Sequence, residues 1–129
     1  MSHDHLPVEK CLAYKKAGFP QELEFGDKFY PSFSIAGVIP TALYSGHEPE
    51  DDYVRIPTLE ELLAWVDNQC RKKLNKYAEV KILTYNGRYT AQIHTLTTVY
   101  CAVGEDGFWY QSPLSALYAA CVKAGIVEE

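Results

Sequence analysis

The sequence predicts an α+β fold: a three- to four-stranded antiparallel meander packed with about three helices. Three observations carry this. Asn86-Gly87 lies between two runs of alternating residues in "YAEVKILTYNGRYTAQIHTLTTVYCAV", the signal for a two-residue hairpin. A capping box opens the apolar-periodic stretch "IPTLEELLAWVDNQCRKK". Two segments, "KKAGFP" and "VKAGIV", each close a helical pattern with glycine and an apolar follower. The chain has 129 residues, enough for one domain with a real core, and the expectation is a single domain over 1–129.

Residues 7–17 read as the first helix. Pro7 suits the first turn, and Val8, Cys11, Leu12 and Lys15 share a face. Gly18, Phe19 and Pro20 end it. Residues 1–6, "MSHDHL", read as a mobile tail. Residues 22–55 keep no helical period. They are punctuated by glycine and proline but rich in aromatics, which predicts an irregular wrap over the core. Short extended pieces fit around Phe29–Tyr30 and Ser34–Val38.

The second helix follows Thr58, whose hydroxyl and the carboxylate of Glu61 satisfy the first orphan donors. Leu59, Leu62, Leu63, Val66 and Cys70 form its apolar stripe, with Trp65 at the edge. Arg71, Lys72 and Lys73 complement the dipole at its end. The Asn-Gly turn sets the hairpin register: Tyr85 opposite Arg88, Leu83 opposite Thr90, Glu79 opposite His94. Val80, Ile82, Ala91 and Ile93 then share the core face. Val99, Cys101 and Val103 supply the apolar face of a third strand, and "FWYQ" a short fourth. The last helix has Ser112 as N-cap and Pro113 in its first turn. Leu114, Leu117, Tyr118, Cys121 and Val122 face inward; Ala116, Ala119, Ala120 and Ala124 make the opposite side small. Gly125 ends it as Gly18 ends the first, so the shared KAG is one structural solution used twice.

Formal charge is −5, from 12 Lys and Arg against 17 Asp and Glu, which argues against a surface that tracks phosphates; nucleic acid is not favoured. No apolar run reaches the roughly 20 residues of a membrane span. The first ten residues lack the pattern of a signal peptide, so a cytoplasmic location is expected. The cysteines, Cys11, Cys70, Cys101 and Cys121, have no CxxC spacing. All four fall on predicted apolar faces and are expected reduced and buried. His94 stands alone among the folded elements, beside Glu79 on the face away from the core. His3, Asp4 and His5 at a chain end, and the acidic loop "EPEDD", lack the geometry of metal sites. Phosphate-cradling and nucleophile-elbow motifs are missing. The residues therefore imply no metal, no cofactor and no catalytic group, and the case for an enzyme is weak.

Three stretches, "LAYKKAGFPQ", "IPTLEELLAWV" and "GFWYQSPLSALYAACVKAGI", occur in an order that resembles a family of small phage and prophage proteins frequent in Bacteroidetes genomes. The last helix also resembles that of the phage αβα-sandwich domain. The resemblance covers about a third of the chain and carries no catalytic residues over. The long 22–55 segment and "HTLTT" depart from the family pattern. The family implies no established activity; the expectation is a phage-type accessory protein that acts non-enzymatically in the host cytoplasm by binding a protein partner. A ligand-binding or small enzymatic anti-defence protein, with a pocket under residues 22–55, is the alternative, and a homo-oligomer is compatible with either. Tyr30, Tyr44 and Tyr53, with Trp65 and His94, are the candidate contact residues, because tyrosine combines large area with a polar tip at low entropic cost.

Overall fold

The structure, a computed structural model, describes residues 6–22, 28–30, 54–101 and 109–128. Helix α1 spans Val8–Lys16. Pro7 is its N-cap in extended conformation rather than a residue of the first turn. Val8 and Cys11 are buried as the periodicity predicts, and Tyr14 joins them. The helix closes with two bonds: Phe19 N donates to Tyr14 O at 2.9 Å, and Gly18 N to Lys15 O at 3.1 Å. Gly18 has φ +106°, a conformation that a Cβ would strain. Phe19 tucks in beneath, 4% exposed.

Strands β1, Lys28–Tyr30, and β2, Val54–Ile56, pair antiparallel with Phe29 opposite Arg55. Residues 28–30 and 54–55 were expected within an irregular wrap. The extended piece expected around Phe29–Tyr30 is β1, and its pairing with a strand at 54–56, with β2 against α1, is what the sequence did not announce. Gln21 braces it: its Oε1 accepts from Arg55 N at 2.9 Å, and its Nε2 donates to Phe19 O. The possible strand at 34–38, like the rest of 31–53, lies outside the described residues.

Residue 6 departs from the expected mobile tail. Leu6 is 1% exposed, and its carbonyl accepts from Tyr30 Oη at 2.8 Å and from Cys11 Sγ at 3.5 Å. Residues 1–5 lie outside the described part. The elements so far belong to a compact unit of residues 5–57, and Thr58 begins a second; the chain divides there into two units.

The second unit opens with α2, Leu59–Lys73. Thr58 and Glu61 make the capping box in full: Thr58 Oγ1 accepts from Glu61 N at 3.2 Å, and Glu61 Oε1 accepts from Thr58 N at 3.0 Å. Leu62, Val66 and Cys70 are its buried stripe; Leu59 and Leu63 are half-buried. Strands β3, Glu79–Tyr85, and β4, Arg88–His94, pair in the register that the Asn-Gly turn dictates, down to Glu79 opposite His94. Asn86 and Gly87 take φ 50° and 74°, the mirror-image turn that suits the twist of a hairpin.

Strand β5, Val99–Cys101, pairs with β4 and completes a three-stranded sheet. Its facing differs from expectation. Residues directly opposite share a face, so Tyr100, opposite Ile93, takes the core side. Val99 and Cys101, opposite His94 and Gln92, take the other. Val103 lies outside the described residues. The expected fourth strand is a single bridge, Tyr89 to Tyr110, with mutual bonds of 2.8 and 2.6 Å.

Helix α3, Pro113–Ala124, has Ser112 as N-cap, its Oγ accepting from Ser115 N at 3.1 Å. It packs on β4, β5 and β3, while α2 packs on β3 and touches α3. The buried residues are Leu114, Ala116, Leu117, Ala120 and Cys121. Ala116 and Ala120 thus face inward, contrary to the sequence reading, and Tyr118 and Val122 are half-buried. Small side chains let a helix approach its neighbours closely. The C-terminus repeats the α1 pattern bond for bond: Ile126 N donates to Cys121 O at 2.9 Å, and Gly125 N to Val122 O at 3.2 Å.

Candidate functional site

Only one face of the three-stranded sheet meets the helices. Ala91 and Ile93 are 2% and 0% exposed, and Val80 and Ile82 are half-buried with them. The opposite face is carried by Glu79, Lys81, Leu83 and Tyr85 of β3. Arg88, Thr90, Gln92 and His94 of β4 and Val99 and Cys101 of β5 complete it. Here Tyr85, Val99 and Leu83 are 63%, 51% and 41% exposed. These three side chains are turned to solvent, while Thr90 on the same face is buried and Gln92, His94 and Cys101 are half-buried.

Trp109 extends this surface. It precedes Tyr110, the residue bridged to Tyr89, and its ring centroid lies 5.6 Å from that of Tyr85 at a 38° tilt. Thr90, opposite Leu83, is 3% exposed and holds its Oγ1 3.9 Å from Cys101 Sγ. Toward the other end of the strands, His94 Nε2 donates to Gln92 Oε1 at 2.8 Å. Lys81 Nζ and Glu79 Oε1 are 3.3 Å apart along β3.

The turn between β4 and β5 is tightly bonded. Thr95 N donates to Thr98 O at 2.8 Å, and Thr98 N to Thr95 Oγ1 at 3.0 Å. Leu96 projects from it, 68% exposed. Tyr77, just before β3, is 61% exposed with Lys76 Nζ 5.1 Å from its ring centroid. Among the described residues, the large apolar side chains that stand exposed are these five, Tyr77, Leu83, Tyr85, Leu96 and Val99. All belong to the meander or its flanking turns.

The candidates from sequence separate in the structure. His94 lies on the open face beside Glu79, as the register required. Tyr30 does not reach a surface: it is 1% exposed, and its hydroxyl is spent on Leu6. Burial, with the nearby Cys11 and Glu9, pushes its pKa up to about 12. Trp65 is half-buried on α2. Tyr44 and Tyr53 lie outside the described residues. Sequence reasoning missed Leu83, Tyr85, Val99 and Trp109. The signal was available for the first two, because the Asn-Gly register that puts Val80 and Ile82 inward puts Leu83 and Tyr85 outward.

Cys11, Cys70 and Cys121 are fully buried, with burial pushing Cys11 up to about 12 and Cys70 up to about 11. Cys101 is half-buried, short of the expected burial. Among the described residues, no cluster of His, Cys, Asp and Glu could hold a metal ion. No helix among them is long and apolar enough to cross a membrane. Comparison with protein-family models, curated proteins and solved structures gives no match to this chain.

Proposed function

We propose that this protein is a non-enzymatic accessory protein of the phage type that acts by binding a protein partner through the open face of its β3–β5 sheet. One observation carries the reading: the large exposed apolar side chains of the described residues gather on this meander. Leu83, Tyr85 and Val99 share a face with the half-buried Trp109. Scattered single hydrophobes need no explanation, but a contiguous set rimmed by polar groups marks a contact surface. Leu83, Tyr85 and Trp109 form the contiguous set, and Lys81, Gln92 and His94 lie between it and Val99. Tyr85 and Trp109 in ring contact beside Leu83, with polar and charged groups on the following rungs, suit contact with a protein. The phage-type assignment rests on the three sequence stretches and their order.

The test compares Tyr85→Ala and Leu83→Ser with the unaltered chain. Both side chains are well exposed, so melting temperature is expected to stay within a few degrees. A protein that co-purifies with the unaltered chain is expected to be lost from both variants. Retention of every co-purifying protein by both variants removes this face from the interface.

A further inference from the structure

The outer edge of β3 is a second, separate feature of the same sheet. Tyr89 spends its N–H and C=O on Tyr110, away from β3. Residues alternate along an antiparallel ladder between bonding inward and bonding outward. Arg88, Thr90, Gln92 and His94 therefore bond to β3, through their partners Tyr85, Leu83, Lys81 and Glu79. The N–H and C=O groups of Val80, Ile82 and Thr84 consequently point to the outer edge. No described residue pairs with that edge. A seven-residue strand with one side of its ladder open is a template for another strand.

We propose that this edge pairs antiparallel with the same edge of a second copy of the chain, about a two-fold axis through Val80. The charges of β3 choose the occupant and the register. An axis at Lys81 would set the two lysines directly opposite each other, a destabilising arrangement. An axis at Ile82 would set Glu79 opposite Tyr85 and Lys81 opposite Leu83, leaving each charge without a counter-charge across the strands. An axis at Val80 sets Glu79 opposite Lys81 of the second copy, and Lys81 opposite its Glu79. Both side chains are half exposed and can turn to this new partner. The two Val80 residues exchange backbone bonds across the axis. Ile82 falls opposite Ala78 of the second copy, which is 1% exposed, so the bonds of this register are the pair that the two Val80 residues exchange. The exposed Leu83 then falls opposite the exposed Tyr77 of the other copy. The result is a continuous six-stranded sheet whose open faces lie on one side. This inference does not rest on the partner-binding reading above, which holds or fails without it.

The test is a charge swap on the full chain, followed by light scattering on a sizing column over a range of loading concentrations. The unaltered chain is expected to dimerise, more weakly as salt is raised. Lys81→Glu and Glu79→Lys each turn two attractive pairs repulsive and are expected to lower dimer affinity about tenfold or more. The double variant, Glu79→Lys with Lys81→Glu, restores both pairs and is expected to dimerise like the original. Melting curves establish that each variant is folded. A chain that stays monomeric at every concentration, or a dimer indifferent to both single swaps and to salt, overturns the proposal.

Discussion

Leu6 offers one carbonyl oxygen to two buried donors, and both donors are acids held neutral by the fold. Tyr30 Oη lies 2.8 Å from it and Cys11 Sγ 3.5 Å. Removing either proton would place an anion against a carbonyl in a dry site, so burial pushes both groups up to about 12, from usual values of 10 and 9. Cys70, shielded within α2 and near Asp67, is pushed to about 11. The consequence for stability has a definite sign. Once pH passes the ordinary values, the unfolded chain loses these protons while the folded chain keeps them, so unfolding becomes favourable as pH rises. Stability against urea is expected to be flat from neutral pH to near the ordinary thiol value of 9. It should then fall until the folded groups themselves ionise, each contributing up to about 1.4 kcal/mol per pH unit. Urea melts across that range check this; a stability that holds level or rises through the window would contradict the buried placement. Tyr30→Phe should shallow the fall without abolishing it.

At the scale of elements, Thr58 is the clearest case of a side chain deciding where a helix starts. It satisfies Glu61 N and receives Glu61's carboxylate in return. Thr58→Ala is expected to cost about 1 kcal/mol in urea denaturation, and Thr58→Ser much less. The capping box, the Asn-Gly hairpin with its full register and the two glycine helix ends were all legible in the sequence, because each depends on residues a few positions apart. What was not legible depends on contacts far apart in the chain. Strands β1 and β2 have three residues each and find one another across a long intervening segment, so the extended piece at Phe29–Tyr30 was legible but its partner at 54–56 was not. The facing of β5 is set by the Thr95–Thr98 turn, which contains no glycine or asparagine to announce it. Alternation in "VYCAV" suggested Val99 and Cys101 inside; pairing with Ile93 puts Tyr100 there instead. The inward turn of Ala116 and Ala120 fails for the same reason. Hydrophobicity ranks tyrosine and valine above alanine for burial, but close helix packing on a sheet favours the small side chain. Of the candidate contact residues read from the sequence, Tyr30 is buried, Tyr44 and Tyr53 lie outside the described residues, Trp65 is half-buried on α2, and His94 lies on the open sheet face.

For the molecule as a whole, two compact units meet in sequence at Pro57 and Thr58, each with its own buried residues. Among the described residues of the second unit, the central strand β4 is bonded on both sides, while β3 is bonded on one. Amide exchange should report this as an alternation. In dilute solution, the amides of Lys81 and Leu83, bonded to β4, are expected to exchange slowly. Those of Val80, Ile82 and Thr84, on the open edge, should exchange quickly. Raising the concentration until the proposed dimer forms changes that pattern selectively. Val80 gains a bond across the two-fold axis and should slow, whereas Ile82 lies opposite the buried Ala78 of the second copy and should change little. Thr84 would lie opposite Lys76, a turn residue that continues no strand, and should stay fast. Residue-resolved exchange at two concentrations therefore reads the register directly. Slowing at Thr84 together with Val80 would move the axis to Ile82 and undo the charge argument, because Glu79 and Lys81 would no longer meet across the strands. Exchange at all three positions that ignores concentration would leave β3 as an open edge, with Lys81 acting as a charged guard against strand addition rather than as half of an ion pair between copies.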